Sequence, residues 1–222
     1  MTLFKQQFPI EFQDREKRFK VYFVDQAHFL RNDCEHFIQQ RFQAIYHANI
    51  HQFLPYFLAI FDQNNSCQAV VGLRFATEPA LFLEQYLDQP IQNIISEKTG
   101  KSFARPQMVE VGNLSGIHHG SSRLIIIFLT WLLAHNHYQW VAFTGHHHLI
   151  NSFKKLGLSP LALQDADPAR LEQGQQDWGN YYSFQPHVFA ADVKQCALNL
   201  NQLGVFPLLG LAAFEENIDD VA

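Results

Sequence analysis

Apolar residues at Phe29, Leu30, Cys34, Phe37, Ile38, Phe42, Ile45 and Tyr46 recur three and four positions apart, which lays one stripe along a helix from about residue 27 to 47. Two short apolar runs follow, Tyr56 to Phe61 and Ala69 to Phe75, divided by Asp62-Gln63-Asn64-Asn65-Ser66. Turn formers between β-rich runs predict a hairpin. Pro79 opens a short helix through about Tyr86. After a polar stretch containing Gly100 comes the β-rich run Met108 to Leu114. Gly120-Ser121-Ser122 then offers N-cap hydroxyls to a helix that ends near Asn136. Trp140 to Thr144 reads as a strand, and His147 to Leu156 as a helix closed by Gly157.

Strand and helix alternate in this second half, which implies parallel strands, while the hairpin implies antiparallel ones. The expected class is therefore α/β, with a mixed central sheet and helices on both faces. No repeat or linker divides the chain. A single domain is expected over residues 1–190, followed by a C-terminal part over 191–222. That part holds a helix from Asp192 to about Leu203, the apolar segment Gly204 to Phe214, which packs on the body or on a partner, and an acidic tail.

Composition narrows the function classes. Of 222 residues, 47% are hydrophobic and 17% charged, which excludes disorder and coiled coil. The formal net charge is -5, yet Glu215, Glu216, Asp219 and Asp220 fall in the last eight residues; without them 17 acidic residues face 16 basic ones. A nearly neutral body offers no long-range pull on phosphate backbones, so no nucleic-acid partner is expected. The first ten residues hold no apolar stretch suited to a signal peptide. The longest apolar run, Leu124 to Ala134, is 11 residues, about half the ~20 needed to span a bilayer. Three scattered cysteines suit a reducing cytoplasm. His118-His119, His135-x-His137 and His146-His147-His148 lack the spacing of a metal motif, so no metal is expected.

Glu110 alternates with Val109 and Val111 in an apolar strand, on the opposite face from both. Burial there would raise its pKa toward a value useful for a general base; pairing with Arg74 or Arg41 is the structural alternative, and the two roles are compatible. Arg41 and Arg74 carry forked donors that can anchor a carboxylate or phosphate, or lie on solvated surface. Glu84 can bind an amine, or be a surface charge.

The order of elements, the Gly-Ser-Ser helix start and the ending Asn151-Ser152-Phe153-Lys154-Lys155-Leu156-Gly157-Leu158 resemble the GNAT superfamily of acyl-CoA N-acyltransferases. More closely, Gly72-Leu73-Arg74, Leu81 to Asp88, Glu110-Val111-Gly112-Asn113-Leu114, Ala166-Asp167-Pro168 and Trp178-Gly179-Asn180-Tyr181-Tyr182 resemble the bacterial thermostable haemolysin family. A weaker resemblance links Arg74, Thr77, Pro79, Leu83 and Glu110 to acyl-homoserine-lactone synthases, with Asn113 replacing an Arg of their strand.

These resemblances imply a GNAT-like fold and transfer of an acyl group from acyl-CoA, or from the phosphopantetheine of an acyl carrier protein, to a small-molecule amine. Glu110 would be the base. His118, His119, Gly120, Ser121 and Ser122 would hold the carrier's phosphate at a helix start, although Ile117 stands where the superfamily's loop begins with a basic residue. Arg41, Arg74, Glu84, Tyr86, Asn113, Tyr181 and Tyr182 would contact substrate. Phe153 stands where the superfamily usually has its general-acid Tyr, so either the thiolate leaves unassisted, or a hydroxyl such as that of Tyr86, Tyr181 or Tyr182 serves, or the chain has lost acetyl transfer. The rival expectations are a membrane-active haemolysin, drawn from the Gly204 to Phe214 segment, and a non-catalytic acyl-ligand or protein-binding module. A homodimer is left open.

Overall fold

The computed structural model describes residues 8–77 and 80–214. The expected helix start at Pro79 and the acidic tail lie outside the described residues. Eight strands form one sheet in the order β1-β2-β3-β4-β5-β6-β8-β7. They are β1 Ile10–Asp14, β2 Lys17–Val24, β3 Tyr56–Asp62, β4 Cys67–Phe75, β5 Met108–Gly116, β6 Trp140–Gly145, β7 Leu161–Asp165 and β8 His187–Asp192. Five helices are α1 Arg31–Tyr46, α2 Ile91–Thr99, α3 His119–His135, α4 His147–Lys155 and α5 Val193–Gln202, with a single turn, α6, at Val205–Leu208.

The predicted hairpin is β3 and β4, paired antiparallel from Tyr56 opposite Leu73 to Phe61 opposite Cys67. In the second half only β5 and β6 run parallel; β8 comes back antiparallel between β6 and β7. The expectation of parallel strands throughout that half is corrected to one pair, because the run after Gly157 forms a strand that returns rather than a third βα unit. The helix expected up to Tyr86 is a 3-10 turn, Phe82–Tyr86.

Pleating sorts the apolar residues onto two faces. Leu58, Ile60, Val71, Leu73, Val109 and Phe143 face α3 and α5. Phe57, Ala59, Phe61 and Val70 face α1, against Cys34, Ile38 and Phe42 of its stripe. Helices thus cover both faces, as expected. The apolar segment from Gly204 packs Phe206, Leu209 and Leu211 onto the α3 side, while Leu208 stays exposed. Among the described residues no helix is long and apolar enough to cross a membrane.

Candidate active site

The parallel pair makes the site. β5 and β6 are joined only from Met108 opposite Trp140 to Val111 opposite Phe143. Beyond that point β5 continues to Gly116 beside β4, while β6 follows β8 to Gly145. The strands part, and one edge of β5 is left facing a cleft. A bulge sharpens the divergence: Gly72 pairs with Gly112 and Val70 with Ser115, so Asn113 and Leu114 share one position opposite β4. Asn113 takes φ +51, and its Oδ1 accepts the Leu54 N–H at 3.0 Å. The Leu54 carbonyl in turn accepts from Arg31, whose guanidinium lies 3.9 Å over the Phe57 ring. Asn113 therefore spends its acceptor on holding the bulge while its residue still lines the cleft.

The cleft opens into a cavity of about 1050 Å³ with two unlike ends. Arg41, Arg74, His118, His119, Arg123 and Lys155 stand on its polar walls, and Glu110 is the single carboxylate among its lining residues. The other end is walled by Ile125, Ile126, Leu129 and Leu133 of α3, with Val141 and Phe143 opposite. Ile125 to Leu133 is eight steps along the helix, so this apolar wall is about 12 Å long at ~1.5 Å per residue. Cys196 also reaches the cavity; burial pushes its thiol up to about 12, which leaves it a small apolar side chain.

Glu110 sits at the last joined positions, directly opposite Arg74 on β4 and Ala142 on β6. It is 3% exposed. Its two oxygens accept one backbone N–H each, from Phe82 at 3.0 Å and Leu83 at 2.9 Å, and Arg74 Nε is 3.8 Å away. A carboxylate has about four acceptor positions, so capacity remains. Burial raises its pKa against the pull of Arg74 and the two N–H groups.

Glu84 is placed differently. Arg105 grips both its oxygens at 2.7 Å, and the N–H groups of Leu81 and Ile91 add further bonds. Burial works to raise its pKa, but these donors outweigh it and the net shift is downward. It is absent from the cavity lining. Tyr86 and Tyr182 are absent too; their hydroxyls meet at 2.6 Å and tie the Phe82–Tyr86 turn to a second 3-10 turn, Tyr181–Phe184. Tyr181 does line the cavity, with its hydroxyl 3.4 Å from Thr144 Oγ1.

At the helix start the N-cap is His118, not a serine. His118 is extended and its Nδ1 accepts the Ser121 N–H at 3.0 Å, so α3 begins one residue before Gly120, and Ser121 is buried in the first turn. His118, His119 and Ser122 face the cavity; Gly120 and Ser121 do not. Gly116 lets β5 press onto this turn, since a Cβ there would lie 2.4 Å from Ser122 Oγ. Among the described residues no group of three or more His, Cys, Asp and Glu is placed to hold a metal ion. Tyr46 and His146, which the sequence does not single out as site residues, also line the cavity, joined at 2.9 Å. Their link spans a hundred positions of chain, and no local pattern announces it.

Comparison with known proteins places this geometry in context. A family model described as thermostable hemolysin matches residues 24–197. No curated protein matches the chain in sequence. Solved structures with similar folds include FeeM, an N-acyl amino acid synthase from uncultured soil microbes, at 9% identity and TM-score 0.57, covering 82% of this chain and 95% of that one. The acyl-homoserine-lactone synthase LasI is similar at 9% identity and TM-score 0.54, with 83% and 95% covered. The CoA-dependent acyl-homoserine lactone synthase BjaI, in complex with SAM and isopentyl-CoA, is similar at 9% identity and TM-score 0.55, with 88% and 92% covered.

Proposed function

This chain belongs to the thermostable hemolysin family, and from that premise and the cleft's geometry we propose that it transfers an acyl group from a thioester carrier to the amine of an amino acid. The observation that carries the reading is Glu110, a buried carboxylate with spare acceptor capacity, at the point where β5 and β6 part. Fold neighbours that are N-acyl amino acid and acyl-homoserine-lactone synthases support it.

The three parts of the cleft divide the work. The apolar wall of α3 receives the acyl chain, each further buried methylene contributing about 0.8 kcal/mol. The β5 edge from Gly112 to Gly116 has lost its β6 partner and offers peptide groups to the carrier arm and to the developing oxyanion. The N-terminus of α3, with His118, His119, Ser122 and Arg123, faces the carrier's phosphate. Arg41 takes the carboxylate of the acceptor: its Nε is buried without a hydrogen-bond partner, on the cavity wall. Glu110 accepts the proton that must leave the acceptor's ammonium before its nitrogen can attack. Its raised pKa makes it a stronger base than a solvated carboxylate.

The test is incubation with an acyl-CoA series and with acyl-loaded carrier protein, each against amino acids and against amines lacking a carboxylate, with products read by mass spectrometry. The expected result is an N-acyl amino acid whose yield grows with acyl length until the wall is filled. Ligand-dependent thermal stabilisation with no N-acyl product would point instead to a binding module.

A further inference from the structure

Acyl transfer from a thioester moves protons in two directions: the nitrogen must lose one more as the amide forms, and the departing thiolate must gain one. Phe153 packs against Phe143 with ring centroids 5.1 Å apart and supplies no proton. The pair Tyr46 and His146 has no part in the mechanism above. Tyr46 Oη lies 2.9 Å from His146 Nε2, and both residues line the cavity. The other ring nitrogen, His146 Nδ1, is buried without a hydrogen-bond partner. A buried nitrogen of this kind is costly to leave unmatched and is a position for a ligand atom.

The fold holds this pair firmly. The Tyr181 ring stands edge-on to Tyr46 at 5.2 Å and to His146 at 6.3 Å, and Phe184 packs on both. Gly179 takes φ +53, and a Cβ there would fall 2.2 Å from the Tyr46 carbonyl oxygen. Asn180 N–H donates to that same oxygen at 2.8 Å. The Trp178-Gly179-Asn180-Tyr181-Tyr182 segment is thus a clamp on the last turn of α1. Through Tyr181 it reaches Thr144, two residues beyond the Ala142 that pairs with Glu110. Thr144 therefore shares the face of Glu110, roughly 7 Å further along the strand at ~3.3 Å per residue.

We propose that His146 is a second catalytic group, whose Nδ1 takes the proton from the attacking nitrogen and hands it to the thiolate as the C–S bond breaks, with Tyr46 as the positioning residue. This rests on the acyl-transfer reading of the cleft. The C–N bond forms and the C–S bond breaks; the proton leaves nitrogen, resides on the imidazolium and ends on sulfur, so His146 is regenerated neutral. In this role Tyr46 Oη accepts the Nε2–H, the tautomer of His146 that leaves Nδ1 bare to act. The electrostatics agree: burial, then His148 and His147, lower the His146 pKa, while burial keeps the Tyr46 hydroxyl protonated. An imidazolium below its ordinary ~6.5 gives its proton readily to an alkyl thiolate near ~8.5.

The test compares thiol release by the wild type, His146→Gln and Tyr46→Phe with two decanoyl donors in the presence of amino acids. One donor is the N-acetylcysteamine thioester, whose thiolate needs a proton to leave easily; the other is the thiophenol ester, whose thiolate does not. His146→Gln is expected to lose about 10²-fold or more with the first donor and no more than roughly one-tenth of that factor with the second. Tyr46→Phe should show the same donor dependence with a smaller loss. Retained turnover of the thiophenol ester certifies the fold of each variant. Equal loss with both donors, or no loss with either, overturns the role of His146 while leaving the acyl-transfer reading standing. Absence of thiol release by the wild type from either donor overturns both.

Discussion

Two carboxylates meet at the Phe82–Tyr86 turn, half-buried Glu84 within it and buried Glu110 on β5 beneath its N–H groups, and the fold treats them in opposite ways. Glu84 receives both prongs of Arg105 and two backbone N–H groups, and its pKa is lowered. Glu110 receives two N–H groups from the same turn, keeps Arg74 at 3.8 Å, and its pKa is raised. Glu84 lies away from the cavity and Glu110 on its wall. A carboxylate saturated with donors is a structural fastening; one held in place by two bonds, with acceptor capacity still facing a cleft, retains the basicity that chemistry needs. The turn's own N–H groups, from Phe82 and Leu83, hold Glu110, while those that hold Glu84 come from the flanking Leu81 and Ile91.

Substitution separates the two roles. Glu110→Gln should lower kcat/KM by about 10²–10⁴-fold, the usual span for a lost general base, with the fold retained; full activity would remove Glu110 as the base. Glu84→Gln should do the reverse. It replaces one of the acceptor oxygens that face Arg105 and the Leu81 and Ile91 N–H groups by a donor and should cost roughly 1–3 kcal/mol of stability, read by denaturant unfolding, with the folded protein's kcat retained. Arg41→Gln touches neither carboxylate and should raise KM for amino acid acceptors about tenfold, roughly 1.4 kcal/mol, without affecting an uncharged amine.

The pH dependences also oppose each other. The folded pKa of Glu84 is depressed, so its contribution is present above the ordinary carboxylate value and is lost as pH falls through the depressed one. The folded pKa of Glu110 is raised, so its contribution is full below the ordinary value and is lost as pH rises through the raised one. Unfolding curves against pH should therefore show Glu84→Gln converging on the wild type in acid, and Glu110→Gln gaining relative to the wild type toward neutrality.

The sequence made some elements of the fold plain and hid others. The burial of Glu110 was legible because a lone carboxylate alternating with valines in an apolar strand has few reasons to be there, α1 was legible from its period, and the β3–β4 hairpin from the turn formers between two apolar runs. The β1–β2 pair was not, since Lys17, Arg18 and Lys20 interrupt a short alternation of Phe19, Val21 and Phe23. Helix α2 hid in a stretch that reads as polar, because Ile91, Ile94 and Ile95 are its whole buried face. The fate of Glu84 depends on donors from Leu81, Ile91 and Arg105, which only the folded chain assembles. The helix cap moved to His118 because a ring nitrogen reached the Ser121 N–H before any hydroxyl could cap the turn.

The most direct test of Glu110 as the cleft's base is the pH profile of kcat/KM for thiol release, wild type against Glu110→Gln. The wild type is expected to show an acidic inflection above the ordinary glutamate value of ~4.3 that Glu110→Gln lacks, the variant's residual activity keeping only the inflection due to His146. The wild type's inflections appearing unchanged in the variant would contradict the role of Glu110.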